Sequence, residues 1–226
     1  MSGAWCVLAL ASSIFLAAAL ARADQAATSI NTLLPQQPGK TACFAGRFGD
    51  LPLDSVEYLP PATGNGAYSA RYKRHRVKGL VLQLEYERTP PLPDSKNYAG
   101  YDRRYDFLLS ARLAERKGLL YAAGECRWLG HDFQSADGAL KIGHTDTALY
   151  CGIDCDGGGM TLERIKDKDA LRLRIEAKHE LRMTRPCDEQ DKSVTFAARD
   201  AAKNFSLASA DHAVCRPLER WIARRR

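Results

Sequence analysis

Apolar residues in this chain recur at every second position. Leu80, Leu82, Leu84 and Tyr86 alternate with Val81, Gln83, Glu85 and Glu87, and Leu171, Leu173 and Ile175 alternate with Arg172, Arg174 and Glu176. Successive side chains of an extended chain point to opposite faces, so such segments are strands with one face in a core and the other in water. Leu181 and Met183 continue the pattern after a short turn, and 193–198 and 204–207 read as short late strands. Residues 105–113 are ambiguous: Phe107, Leu109, Ala111 and Leu113 fit a strand, whereas Phe107, Ala111 and Ala114 fit a helix. Gly118 ahead of 119–128 favours a hairpin, and with it the strand. Lys166 to Asp169 makes another hairpin turn, between 160–165 and 170–177.

Many short strands separated by frequent turn signals predict an all-β fold, an antiparallel barrel or sandwich. The expected organisation is a signal peptide at 1–23, an irregular lead-in at 24–42 and a disulfide-stapled β domain at 43–226. The tail over 211–226 is expected to form a short basic helix with Leu218, Trp221 and Ile222 on one side. The Pro- and Gly-rich stretches 59–66 and 88–99 are loops. No strand is followed by a Gly-rich phosphate loop, and no strand–helix–strand series is visible, so nothing points to a nucleotide-binding α/β fold. A chain of 226 residues that is 45% hydrophobic and 27% charged is too apolar to be disordered.

Residues 6–20 form an apolar block, followed by Ala21-Arg22-Ala23 with small residues where a signal peptidase cuts. No Lys or Arg precedes the block. After residue 20 no apolar run approaches the ~20 residues of a membrane helix, so no transmembrane span is expected after cleavage. Arginine outnumbers lysine and alanine is abundant, usage that suits a GC-rich bacterial genome. The expected compartment is therefore periplasmic or secreted, with the periplasm preferred.

Of seven cysteines, Cys6 lies in the apolar block. An even set remains: Cys43, Cys126, Cys151, Cys155, Cys187 and Cys215. In an exported chain these read as disulfides. Cys126 and Cys151 each end a strand, so a cross-strand bridge is expected. Cys43 and Cys215 would tie the two ends together, leaving Cys155 for Cys187. Cys151 and Cys155, with His131, His144, His179 and His212 as possible partners, make a poor zinc site, because only one close ligand pair is present.

Three features could carry chemistry. Arg71, Lys73, Arg74, Arg76 and Lys78 crowd one segment with Tyr72 and His75. They suit an anionic ligand, in this compartment an envelope polymer or an acidic protein, with nucleic acid disfavoured. Their bland role is to keep an edge strand soluble. Cys151 to Glu163 (CGIDCDGGGMTLE) partly resembles an EF-hand calcium loop, with Asp154, Asp156, Gly157 and Glu163 in register but Gly152 where a carboxylate belongs. A turn using Gly157 to Gly159 for positive φ explains it better. Among His–Asp neighbours, His144 and Asp146 would share a strand face, unlike His131–Asp132 or Asp211–His212. Trp128 beside Cys126 suits packing on a disulfide.

In outline the pattern is similar to exported small-ligand barrels and protein inhibitors, a likeness of fold that fixes no function. The reading is a non-enzymatic, cofactor-free binding protein of the cell envelope, with an anionic ligand at 71–78. The alternative is a periplasmic hydrolase near the Asp154/Asp156 turn, using calcium. A purely structural envelope protein is the third reading.

Overall fold

Each alternating segment pairs with its neighbour in antiparallel register. The computed structural model describes residues 29–35, 37–59, 69–88, 103–128, 133–134, 141–142, 148–153, 157–183, 194–198 and 201–223. Its strands are β1 (Thr41–Leu59), β2 (Ser69–Arg88), β3 (Arg103–Leu113), β4 (Leu119–Trp128), β5 (Phe133–Gln134), β6 (Lys141–Ile142), β7 (Ala148–Ile153), β8 (Gly159–Arg164), β9 (Ala170–Ile175), β10 (Glu180–Met183), β11 (Val194–Ala197) and β12 (Lys203–Ser209). The ambiguous 105–113 is strand. A helix Arg216–Ala223 follows.

The strands β1–β2–β3–β4–β7–β8–β9–β12 close back onto β1 as an 8-strand barrel. Closure pairs every edge, which favours the barrel over the sandwich. β5 and β6 form a separate two-stranded sheet. β10 and β11 extend the barrel at one end. β11 pairs with β1 at Asp54, Ser55 and Val56, beyond the stretch where Phe44 and Ala45 meet β12. β10 pairs with β11 and bridges to Gly158 through Leu181. At that end β10 and β11 hold the places that β9 and β12 hold at the other.

The barrel interior is filled. Phe44, Leu82, Leu84, Tyr105, Phe107, Leu149 and Phe205 are almost wholly buried. The gap among Leu53, Val77, Leu109, Leu173 and Phe196 amounts to about 10 Å³, room for one water at most. Among the described residues the centre is therefore a packed core.

Within 24–42, Ile30–Thr32 form a 3-10 turn, β1 begins at Thr41, and the described part is firmly seated. Ile30 and Leu34 are buried in the same core. Tyr105 Oη donates to the Pro35 carbonyl at 3.1 Å, and Arg164 Nη1 donates to Thr32 Oγ1 at 2.6 Å. This segment closes the end where β3 begins and β8 finishes.

Two expected disulfides are present. Cys126 and Cys151 stand directly opposite on β4 and β7, buried in the barrel. Cys43–Cys215 lies on the outer wall, where Leu218 of the helix packs with Val81, Leu108 and Tyr121. Cys155 and Cys187 lie outside the described residues, as do residues 1–23 and most of both predicted loops. The side chains of Trp128, Trp221 and Ile222 are likewise outside them. Among the described residues no helix is long and apolar enough to cross a membrane.

Candidate functional site

The basic segment lies on β2, and a bulge decides which of its side chains face inward. Leu80, Leu82, Leu84 and Tyr86 face the core. An unbroken period of two would send Arg76 and Arg74 inward as well. Instead the register slips: Val77 pairs with Leu113, but Gly79 pairs with Arg112. One extra residue enters β2 at Lys78, and the facing phase inverts below it. β1 slips in the same place, between Arg47 and Leu51. His75 and Val77 are buried in consequence, while Arg74 and Arg76 are exposed.

The five cations therefore separate into two sets. Arg74 Nε lies 3.2 Å from Asp54 Oδ1, Arg76 Nε 2.7 Å from Glu115 Oε1, and Lys78 Nζ 2.8 Å from Asp50 Oδ1. These three are exposed, neutralised surface pairs of the kind that contributes little to stability. The hydrogen bond from Lys78 holds the Asp50 carboxyl below its ordinary range. Arg71 and Lys73 line an open cleft of about 1050 Å³ and make no ion pair among the described residues. Arg116, after β3, and Arg182, on β10, line it too, opposed by Glu57 and Glu180.

At the cleft floor three polar side chains from three elements meet. Ser55 Oγ on β1 is 2.9 Å from His75 Nε2 on β2, and 3.4 Å from the Lys73 carbonyl. His75 Nδ1 is buried, has no hydrogen-bond partner, and stands 3.9 Å from Glu115 Oε2 in the turn after β3. Phe196 meets the imidazole edge-on, ring centroids 6.3 Å apart.

The charge states follow from the surroundings. Hydrogen bonding to Arg76 holds the Glu115 carboxyl down to about 2, so it is an anion. Burial pushes the His75 imidazole below its usual 6.5, and the charge of Lys73 adds to this. The ring is neutral at pH 7. With a carboxylate facing Nδ1, the single ring proton is best placed there, which leaves Nε2 to accept from the Ser55 hydroxyl.

The sign of the pH dependence is fixed by these shifts. The unfolded chain protonates His75 near 6.5 and the folded chain only at lower pH. The stability contributed by the neutral buried ring is thus complete above about 6.5. It is lost as pH falls toward the folded pKa. A proton NMR titration of the His75 ring is expected to give a midpoint below 6.5; a midpoint at or above that value contradicts the buried neutral ring.

The other candidates sit elsewhere. Asp211 accepts from the Ala213 amide and caps a short turn, and His212 Nε2 lies 2.9 Å from Thr41 Oγ1 on the surface. Both roles are structural. His131, Asp132, His144, Asp146, Asp154 and Asp156 lie outside the described residues. Among the described residues, no three His, Cys, Asp or Glu side chains are grouped to hold a metal. Of the three glycines, only Gly158 has positive φ, at 80°. Gly159 answers to a different constraint: a Cβ there would stand 2.9 Å from the Cys151 carbonyl oxygen, besides 2.3 Å from Tyr150 Oη.

Ser55 and Glu115 do not stand out in the sequence, where His75 belongs to a basic run. They lie on different strands and turns, so no spacing marks them. The one local signal was Lys78-Gly79, a bulge-prone pair breaking the alternation. Compared with known proteins, the chain matches no family model, no curated protein and no solved structure.

Proposed function

We propose that this is an exported, ligand-binding protein of the cell envelope whose anionic ligand occupies the cleft at the β10–β11 end of the barrel. The observation that carries this is the division of the basic segment. Arg74 and Lys78 are matched by acids outside and Arg76 by Glu115 at the cleft floor, whereas Arg71 and Lys73 line the cleft and make no ion pair among the described residues. Cations left unmatched in a concavity attract carboxylate, phosphate or sulfate groups. The cleft volume is at the upper end of small-ligand pockets, so the ligand is an oligomer segment or a small polyanion. Two disulfides and the signal-like N-terminus support export.

Calorimetric titration with a heparin-derived tetrasaccharide tests this reading. Wild-type protein is expected to bind, more weakly as salt rises. Arg71→Ala with Lys73→Ala is expected to weaken binding at least about tenfold, the scale of one or two charge-assisted hydrogen bonds. Arg74→Ala with Lys78→Ala is expected to change it by less than about twofold. Equal losses from both pairs would place the ligand on the outer surface instead.

The hydrolase alternative rests on one fact. Gly157 and Gly158, which directly follow Asp154 to Asp156 in the sequence, line the same cleft.

A further inference from the structure

We propose that Ser55 is a nucleophile activated by His75, and that the cleft hydrolyses carboxylic esters carried by anionic molecules. The substrate class rests on the anion-binding reading above; the nucleophile rests on geometry alone. Ser55 Oγ and His75 Nε2 are 2.9 Å apart, the separation that a nucleophile and its base require. Both residues are largely buried, yet both border the cleft.

The far side of the imidazole separates this from a packing role. A buried histidine held for structure normally has both nitrogens satisfied. Here Nδ1 is buried without a hydrogen-bond partner, and the ionised Glu115 carboxylate stands 3.9 Å away. That is a base with its orienting group just out of reach. Such contacts are often long before substrate binds and shorten in the reacting complex. Glu115 is in turn held by Arg76 at 2.7 Å. It is a positioning residue, acting through His75.

The reaction balances with water as the second substrate. Ser55 Oγ bonds to the ester carbonyl carbon while its proton passes to His75 Nε2, and the carbonyl electron pair moves onto oxygen. Lys73 and Arg71, lining the same cleft, favour that negative charge and the acidic part of the substrate. The carbon–oxygen bond to the alcohol then breaks, and the alcohol leaves with the proton from Nε2. Water attacks the Ser55 acyl carbon while giving a proton to Nε2; the acyl–Oγ bond then breaks, Ser55 Oγ takes the proton back from Nε2, and the carboxylic acid is released with both residues restored.

The test is incubation of the purified full chain with a fluorophosphonate probe, followed by peptide mapping. The expected result is one adduct, on Ser55, and this outcome needs no variant. Hydrolysis of p-nitrophenyl hemisuccinate should exceed that of neutral p-nitrophenyl acetate, with kcat/KM rising through an inflection below pH 6.5. Ser55→Ala should abolish labelling, and His75→Gln should slow it by ~10²-fold or more. Glu115→Gln should move the pH inflection lower, because the carboxylate raises the His75 pKa; an unmoved inflection removes Glu115 from the relay. No adduct, an adduct elsewhere, or wild-type hydrolysis by Ser55→Ala overturns the nucleophile. Ser55 labelling with no preference for the anionic ester retires the substrate class and leaves the nucleophile standing. Tetrasaccharide binding without labelling retires the nucleophile and leaves the binding reading standing.

Discussion

Replacing Cys43 and Cys215 together by alanine is expected to lower folding stability by about 5 kcal/mol. The bridge spans 172 residues, and the entropy that a crosslink removes from the unfolded chain grows with the logarithm of that loop. Both sulfurs are buried under the helix that Leu218 anchors to the outer wall. The loss is comparable to the whole stability of many domains. Urea denaturation of the double variant beside wild type measures it, and a loss below about 2 kcal/mol contradicts this account. The Cys126–Cys151 bridge spans only 25 residues, so the same model assigns it about 3–4 kcal/mol. A larger loss for Cys126→Ala with Cys151→Ala would mean that packing inside the barrel outweighs chain entropy.

Gly158→Ala is expected to cost about 3–5 kcal/mol. Gly158 has φ at 80°, and a Cβ there would stand 1.9 Å from the Glu180 carbonyl oxygen. The backbone has little freedom to yield. The Arg182 amide donates to the Gly157 carbonyl at 2.8 Å, and the Ile153 amide donates to the Gly158 carbonyl at 2.9 Å. β10 must shift instead, taking with it buried Leu181 and Met183 and the cleft wall at Arg182. Gly118→Ala is the control. Its φ is 91° but nothing stands within 4 Å of the added carbon, so only the left-handed backbone penalty of ~1–2 kcal/mol applies. Thermal or urea unfolding of both variants decides it. Equal losses would show that β10 accommodates the methyl group freely.

Many of the strands were legible because their signal is local; β1 was not, since its Thr41–Leu59 sequence carries no sustained alternation. Leu80 to Tyr86 and Leu171 to Ile175 announce a half-buried surface within seven residues, and Asp167 and Gly118 mark the turns between strands by their left-handed backbone. The Cys126–Cys151 pair was legible for a related reason, since both cysteines lie on strands that pair, though each sits two residues inside its strand and not at its end. The lead-in was harder to judge. Nothing in its polar composition distinguishes Ile30 and Leu34, which are buried only because the barrel end leaves room for them.

The cleft was not legible. Arg71, Lys73, Arg74, Arg76 and Lys78 form one charge run in the chain and two surfaces in the fold. Ser55, His75 and Glu115 share no spacing that a reader of the chain could recognise. They meet because β1 and β2 slip together at the Arg47–Leu51 and Val77–Gly79 irregularities, which bring Ser55 and His75 onto one face. The turn after β3 then sets Glu115 beside them.

By itself the sequence determined the all-β class, the alternating strands such as Leu80 to Tyr86 and Leu171 to Ile175, and a basic segment, because each depends on neighbours a few residues apart; it favoured the two observed disulfide pairs without fixing them, and it did not mark β1. Only the tertiary structure decided which side of that segment turns inward. The phase of a strand after a bulge depends on its pairing partners, and one extra residue exchanges the two faces. That exchange buries His75 and leaves Arg74 and Arg76 outside.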